Sequence, residues 1–183
     1  MKTIFIILGV VVVIGGYIGL TYNSLVTLDE TSVASWQQVE TQYQRRFDLI
    51  PNLVESVKGV MKQEQAIFTA LADARTRYSG ATNSNAKAAA ASDVESALSR
   101  LLVVVENYPV LKSSDTVQTL MSQLEGTENR ISVERSRFNE TVRVYNLKTK
   151  RFPSSIVASL FGFDEKAYFE AAQGAEKAPA VAF

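Results

Sequence analysis

The sequence VASWQQVETQYQRRFDLIPNLVESVKGVMKQEQAIFTAL, residues Val33–Leu71, decides the fold. Its apolar residues recur in steps of three and four, the spacing of one face of an α-helix. The series comprises Val33, Trp36, Tyr43, Phe47, Ile50, Val54, Val57, Met61, Phe68 and Leu71, with Val39, Leu53, Val60 and Ile67 beside it. A stripe of this width is typical of a helix buried in a bundle. Because the series keeps its phase through Pro51, it predicts one kinked helix about 60 Å long.

The residues before this helix predict a membrane anchor. Ile4–Leu20 carries no charge, is rich in Ile and Val, and just reaches the ~17 residues that a membrane-crossing helix needs. A cleaved signal peptide is the alternative, but no Ala-x-Ala-like site follows, and the chain has no Cys for lipoprotein processing. We therefore predict an uncleaved anchor at residues 1–21.

The junction after the anchor allows two interpretations. No Pro or Gly lies between Leu20 and Pro51, so the anchor and the first bundle helix could be one helix. Thr21, Asn23 and Ser24 could instead cap a new helix after a break.

Two further features of the anchor bear on packing and orientation. Gly15 and Gly19 are four residues apart and form a small face that a second membrane helix could approach, although glycines are also simply frequent in membrane helices. Lys2 precedes the span, whereas Asp29 and Glu30 are the first charges after it. This asymmetry favours a cytoplasmic N-terminus and a periplasmic position for the bulk of the chain.

The remaining sequence predicts two more helices and a short one. A turn is expected at residues 78–85, a second helix from Ala86 to Asn107 before Pro109, and a long third helix that starts after Ser113 or Ser114. The third helix carries the stripe Val117, Leu120, Met121, Leu124, Ile131, Phe138, Val142 and Tyr145. After Phe152 and Pro153 a short helix runs from Ser154 through Leu160, with Gly162 near its end; residues 171–183 are predicted to be disordered.

These elements predict an all-α chain. Its N-terminal transmembrane helix is followed by an elongated antiparallel helical bundle, residues 22–170, with long first and third helices.

Composition excludes several kinds of chemistry. The chain has 19 Lys plus Arg, 19 Asp plus Glu, no His and no Cys. The balanced charge gives no electrostatic footprint for nucleic acid. Without His and Cys, the Ser-His-Asp and Cys-His catalytic pairs and the usual zinc sites cannot be built. We expect no cofactor and no catalytic residues.

Charged and polar residues lie within the helical stripes. Glu40, Glu128 and Arg135 fall at core-facing positions, with Arg46 beside the stripe, and charges there should be paired, which would fix the register between helices. Around Pro51, Gln42, Arg45, Arg46, Asp48, Asn52 and Glu55 could satisfy loosened backbone groups or form a recognition patch for carboxylates or lipid phosphates. Glu128, Asn129 and Arg130, with Asn139 and Asn146, form a second polar set for which inter-helix pairing is the default.

Two other candidate sites have competing interpretations. Glu128 with Glu40 or Glu64 could form a carboxylate metal site, which would suit Mg²⁺ or Ca²⁺; we expect no metal there. The aromatic residues Phe161, Phe163, Tyr168 and Phe169 could form a lid on one end of the bundle or a docking patch for a partner or a membrane surface.

Several motifs, in order along the chain, resemble the LemA family. They are YNSLV at 22–26, QYQRRFDLIPNLVESVKG at 42–59, ENYPVLK at 106–112, TENRI at 127–131 followed by Arg135, FNETVRVYN at 138–146, FP at 152–153, FGF at 161–163 and YF at 168–169. The resemblance implies a bacterial envelope protein with an N-terminal membrane segment and an antiparallel helical bundle, and it supplies no catalytic residues. Family descriptions place the N-terminus outside the cytoplasm, against the orientation that the charges favour.

Together these observations predict a non-enzymatic, structural or scaffolding protein of the bacterial inner membrane. We expect it to assemble as a homo-oligomer at the membrane, where protein partners are also possible. The alternatives are an adaptor or sensor domain that binds a partner protein, and a carboxylate-dependent hydrolase.

Overall fold

The computed structural model describes residues 2–169, and within that range every regular element is a helix. The helices are α1 (Lys2–Lys58), α2 (Gln65–Gly80), α3 (Ser84–Glu106), α4 (Pro109–Lys112), α5 (Asp115–Lys150) and α6 (Ser154–Phe161). The predicted all-α class with a long N-terminal apolar helix is confirmed. The tail predicted to be disordered, residues 171–183, lies outside the described residues.

The first helix passes from the apolar segment into the polar part of the chain without a break. Of the two interpretations left open by the sequence, the structure has the continuous helix. Thr21, Asn23 and Ser24, the candidate caps, lie inside this helix. Further along, the hydroxyls of Thr27 and Thr31 donate to the Asn23 and Thr27 carbonyls one turn earlier, at 2.9 and 2.7 Å.

The contacts divide the chain into two compact units. We call the residues up to Gln37 with Arg135–Tyr168 the terminal unit, and Gln38–Glu134 with Phe169 the bundle unit.

In the terminal unit, the first part of α1 packs against the second part of α5. The rings of Trp36 and Phe138 meet edge to face at 5.5 Å. Nearer the N-terminus, Leu25 is fully buried beneath Val157 and Ala158 of α6. α6 ends at Gly162, whose φ of 74° is the left-handed conformation in which glycine is favoured, and the chain then turns back along α1 and α5.

The segment after α6 is fixed by one asparagine and one lysine. Asn146 on α5 donates to the Lys166 carbonyl at 2.8 Å and accepts from the Lys166 backbone N–H at 2.9 Å. The Lys166 ammonium donates to Ser32 Oγ at 2.6 Å and pairs with Asp29 at 2.8 Å, both on α1. It also lies 5.2 Å from the centre of the Tyr145 ring. Because burial and the nearby carboxylates Asp29 and Asp164 disfavour the phenolate, the pKa of Tyr145 is raised above its usual value.

In the bundle unit, four helices run alternately up and down. Tyr78 near the end of α2 contacts Tyr43 and Phe47 of α1, with ring centres 5.7 and 4.5 Å apart. α3 returns parallel to α1 after a short turn that Asn83 caps, its side chain accepting from the Ala86 N–H at 2.8 Å. The fully buried side chains are supplied by all four helices and the turn after α1: Val39, Tyr43, Leu53, Val57, Met61, Leu71, Ala91, Val94, Leu101, Leu124 and Ile131.

The prediction of one helix from Val33 to Leu71 is wrong at its C-terminal third. α1 contains Pro51, as predicted, but ends at Lys58, and a new helix starts at Gln65. The turn begins where the N–H groups of Val60 and Met61 both donate to the Val57 carbonyl, at 3.0 and 2.9 Å. The apolar periodicity continued across the turn because Met61 folds back into the core and is fully buried.

Replacing Asn146 with Ala should release the segment that follows α6. Both hydrogen bonds to Lys166 are lost and the Lys166 N–H has no replacement, so we expect a loss of about 1 to 3 kcal/mol in the free energy of unfolding. Hydrogen exchange with mass spectrometry should show faster exchange in residues 163–169. Asn107→Ala is the control, because Asn107 is exposed and its side chain bonds only the Val103 carbonyl one turn earlier. Equal exchange of this segment in the wild type and Asn146→Ala would contradict the assignment.

Candidate functional site

A buried arginine joins three helices of the bundle unit. Arg46 on α1 is 3% exposed. Its guanidinium pairs with Glu128 on α5 and, at 3.4 Å, with Glu95 on α3. Its Nε also donates to Thr127 Oγ1 at 3.4 Å, and that hydroxyl donates to the Leu124 carbonyl at 2.7 Å. A guanidinium out of water is costly unless its charge and hydrogens are satisfied, and here two carboxylates and a hydroxyl satisfy them.

A second ion pair joins two of the same helices. Lys87 on α3 pairs with Glu40 on α1, and both side chains are about three-quarters buried. Residues 40 and 46 of α1 thus meet residues 87 and 95 of α3 in the same order, as expected of helices that run in the same direction. Both pairs agree with one parallel register of α3 on α1, and that they fix this register stays a prediction.

Sequence reasoning identified Glu40, Arg46 and Glu128 as charges in need of partners, and missed Glu95 and Lys87. The Ala-rich start of α3 suggested only helix propensity. The available signal was weak: Lys87 and Glu95 are eight residues apart on a predicted helix that is otherwise apolar on its inner side.

A groove of about 770 Å³ opens beside the arginine cluster between α3, α4 and α5. Its volume is in the range of small-molecule and peptide sites. Its apolar residues are Leu98, Leu102, Val105, Met121 and Leu124, and its charged residues are Arg46, Glu95, Glu106, Lys112, Glu125 and Glu128. Since Arg46 is engaged by Glu95 and Glu128, the charges that remain on the rim are the carboxylates of Glu106 and Glu125 and the ammonium of Lys112, above an apolar floor. Such a surface suits an apolar group that carries positive charge.

Three other predicted polar residues meet at a shallower groove of about 420 Å³ on the same unit. Arg45 and Asp48 from α1 line it together with Arg130 from α5. Asp48 accepts a hydrogen bond from Gln44 at 2.8 Å. Two guanidinium groups at one surface groove can bind a carboxylate or a phosphate.

The remaining polar candidates lie apart from these two grooves. Asn52 lines a third groove together with Ser56 and Asp115, and Asn129 is exposed on α5. Arg135 is half-buried in the terminal unit, so the predicted polar set does not form a single site.

A buried tyrosine in the bundle unit has an unsatisfied hydroxyl. Tyr78 is 7% exposed, and its hydroxyl oxygen has no hydrogen-bond partner among the described residues. Burial, Glu40 and Tyr43 disfavour the phenolate, in that order, so the pKa of Tyr78 is raised well above its usual value.

The carboxylate metal site that the sequence analysis weighed as an alternative is not assembled in the part of the chain that the structure describes. Glu40 and Glu128 are held by different cations, Lys87 and Arg46, and Glu64 lies at the start of α2. No cluster of three acidic residues that could hold a metal ion occurs within residues 2–169.

The glycine and aromatic candidates belong to the terminal unit, except Phe169. A Cβ added at Gly15 or Gly19 would meet nothing within 4 Å, so this face of α1 is open. Phe161 and Phe163 meet Tyr22 of α1 edge to face, with ring centres 4.9 and 5.7 Å apart. Further along the chain, Tyr168 is exposed and Phe169 is half-buried.

Comparison with known proteins identifies relatives of this chain. The model of the LemA family matches residues 35–183. Magnetosome proteins MamQ 1 and MamQ 2 of Paramagnetospirillum magneticum are each 29% identical to it, and magnetosome protein MamQ of Magnetospirillum gryphiswaldense is 28% identical. In each case the match covers 82% of this chain and 65% of the relative, so the chain spans slightly less than two thirds of these proteins.

Replacing Arg46 with Leu should destabilise the bundle unit. The change leaves two carboxylates facing each other without their counter-charge, and we expect a loss of about 2 to 3 kcal/mol, below the range for fully buried pairs because Glu128 is half exposed. Denaturant unfolding of the full chain in detergent measures this. Arg77→Leu is the matched control, because Arg77 pairs with Asp93 at the surface and its removal should have no measurable effect. Equal stability of the two variants would show that the cluster does not hold the helices.

Replacing Tyr78 with Phe should leave the protein as stable or make it more stable by about 1 kcal/mol, because the ring contacts remain and an unsatisfied hydroxyl is removed. Denaturant unfolding at neutral pH measures this.

The raised pKa of Tyr78 also predicts how the stability of the protein depends on pH. The phenol of the unfolded chain loses its proton near pH ~10, and that of the folded chain does not. The preference of the folded state for the protonated phenol therefore leaves the free energy of unfolding intact below that pH and lowers it as the pH rises above it. Unfolding curves between neutral and alkaline pH should show a shallower alkaline decline in Tyr78→Phe. An unchanged decline would contradict the assigned cause.

Proposed function

This chain belongs to the LemA family, and from that premise we propose that it is a non-enzymatic scaffolding protein, anchored in the membrane of the bacterial envelope, that assembles into homo-oligomers. The observation that carries the proposal is the first turns of α1. Residues 2–17 are all exposed. The segment from Ile4 to Leu20 carries no charge. Such a surface is stable only against lipid or another apolar surface.

The fold supports an anchor that is retained. Ile18 packs against the cluster of Leu25, Val157 and Ala158, so the end of the apolar segment contributes to the terminal unit. Removing the segment in the manner of a signal peptide would remove one side of this contact. We therefore assign α1 both roles, a membrane span and a structural helix.

Self-association is supported by the open glycine face. Gly15 and Gly19 lie one turn apart on α1, and a Cβ added at either would meet nothing within 4 Å, so a second copy of α1 could approach closely there. In a bilayer, such small faces allow close van der Waals packing between helices.

The candidate site supports a binding or structural role more than a reaction. The buried charges of the bundle unit are used to join helices, with Arg46 and Glu40 each paired across elements. The relatives that this chain resembles are named as magnetosome proteins. With the anchor and the inter-helix ion pairs, we propose that this chain serves an assembly at a membrane.

We propose the inner membrane as the location and the periplasmic side for the bulk of the chain, on the basis of Lys2 before the span and Asp29 and Glu30 after it. Protease added to spheroplasts should digest the part of the chain beyond the span; full protection would reverse the orientation.

The groove beside Arg46 favours one alternative, an adaptor that binds a partner protein. Its apolar floor and the rim carboxylates Glu106 and Glu125 fit a basic amphipathic segment. The two functions predict different oligomeric states for the purified chain. A self-assembling scaffold forms oligomers, whereas an adaptor needs no self-association.

Replacing both glycines of the open face with Ile, Gly15→Ile with Gly19→Ile, should shift the protein from an oligomer to a monomer, because the added side chains hold the helices apart. Light scattering after size separation in mild detergent measures the mass. Gly9→Ile is the matched control: it lies in the same apolar helix, also in open space, but on a different face. A wild-type chain that is already a uniform monomer would contradict self-assembly and favour the adaptor.

A further inference from the structure

The short helix α6 has one buried face and one strongly apolar exposed face. Ser154, Val157 and Ala158 are buried. Ile156 is 60% exposed and Leu160 is 70% exposed, and Phe152, four residues before Ile156, is 80% exposed. Single exposed apolar residues are common on protein surfaces, but Ile156 and Leu160 are one turn apart on α6 and form an apolar strip, and the exposed Phe152 lies in the turn just before the helix.

The position of α6 in the terminal unit indicates what covers this strip. The buried face of α6 packs on Leu25 and, at the edge of that cluster, on Ile18. Ile18 belongs to the charge-free segment Ile4–Leu20 that is proposed to lie in the bilayer. α6 is therefore held beside the last turn of the membrane span.

The length of the span also favours a contact between α6 and the membrane. Seventeen residues from Ile4 to Leu20 extend about 26 Å as a helix, whereas the hydrocarbon layer is about 30 Å thick. The apolar strip of α6 and the rings of Tyr22, Phe161 and Phe163 supply apolar surface at the level where the span ends. Aromatic rings are enriched at this boundary between hydrocarbon and water.

We propose that α6 is an interfacial membrane helix, and that its residues Ile156 and Leu160, together with Phe152 just before it, insert into the boundary between acyl chains and headgroups beside the anchor. The proposal rests on the proposed function, specifically on the anchor. It gives the terminal unit two contacts with the bilayer, a span and a surface helix, which together fix its depth and its tilt. Arg151, exposed just before Phe152, lies where its guanidinium can meet lipid phosphates.

A lipid surface fits the strip better than a protein does. Any protein that covered Ile156 and Leu160 would have to lie at the end of the membrane span, since the opposite face of α6 is fixed against Ile18 and Leu25. Lipid is present there in any case, and it needs no complementary shape.

The absence of Cys from the sequence makes a direct test possible, because each introduced thiol carries the only label. We would place a nitroxide at Ile156→Cys and at Leu160→Cys in the full chain, reconstituted in vesicles of phosphatidylethanolamine and phosphatidylglycerol. Collision rates with oxygen, which concentrates in hydrocarbon, and with a water-soluble nickel chelate would be measured by power-saturation electron paramagnetic resonance. Val12→Cys in the span is the lipid control, and Glu140→Cys, exposed on α5 in the same unit, is the water control.

The proposal expects the ratio of oxygen to nickel collisions at positions 156 and 160 to be several-fold higher than at 140 and close to that at 12. Nickel collisions as frequent as at Glu140→Cys, with Val12→Cys protected, would overturn the α6 proposal and leave the anchor intact. Low collision rates with both reagents would overturn it in favour of a protein cover, and spectral broadening between labels would identify a second copy. Free access of nickel to position 12 would overturn the anchor itself.

Discussion

The bundle unit depends on the need of one buried cation for counter-charges. Arg46 can be buried only if carboxylates and a hydroxyl accompany it, and these come from α3 and α5. A shift of one helix by a turn would separate this guanidinium from its partners, a cost that adds to that of repacking the apolar core. Glu40 with Lys87 forms a second such pair about 1.7 turns away along α1. Charge pairing is thus expected to favour the same register as the burial of Leu, Val and Ile.

The periodicity of apolar residues predicted most of the secondary structure for a simple reason. A helix with one buried face must repeat its apolar residues every three to four positions, and α1, α3 and α5 do so. The reversal after Lys58 was missed because periodicity records burial and not direction: Val57, Met61 and Leu71 are buried on both sides of the turn. Lys58 followed by Gly59 was the available sign of a helix end, and the unbroken apolar series outweighed it.

The candidate site was less predictable than the fold. The sequence shows that Arg46, Glu40 and Glu128 occupy positions where an unpaired charge is unfavourable, since this follows from helix phase alone. Which residue pairs with each charge depends on how helices distant in sequence pack together. Lys87 and Glu95 could therefore be identified as the partners only from the structure. The grooves were harder still to predict from the sequence, because a groove forms where the side chains of several packed helices leave space between them.

The Lys166 contacts with α1 have a consequence for how the protein is made. Ser32 leaves the ribosome early, while its partner Lys166 is 134 positions later in the chain. The surface of α1 that α6 and its following segment cover therefore stays uncovered until Lys166 has been synthesised. During that interval the proposed anchor holds the nascent chain at the bilayer. Closure of the terminal unit is thus a late event that joins residues far apart in the order of synthesis.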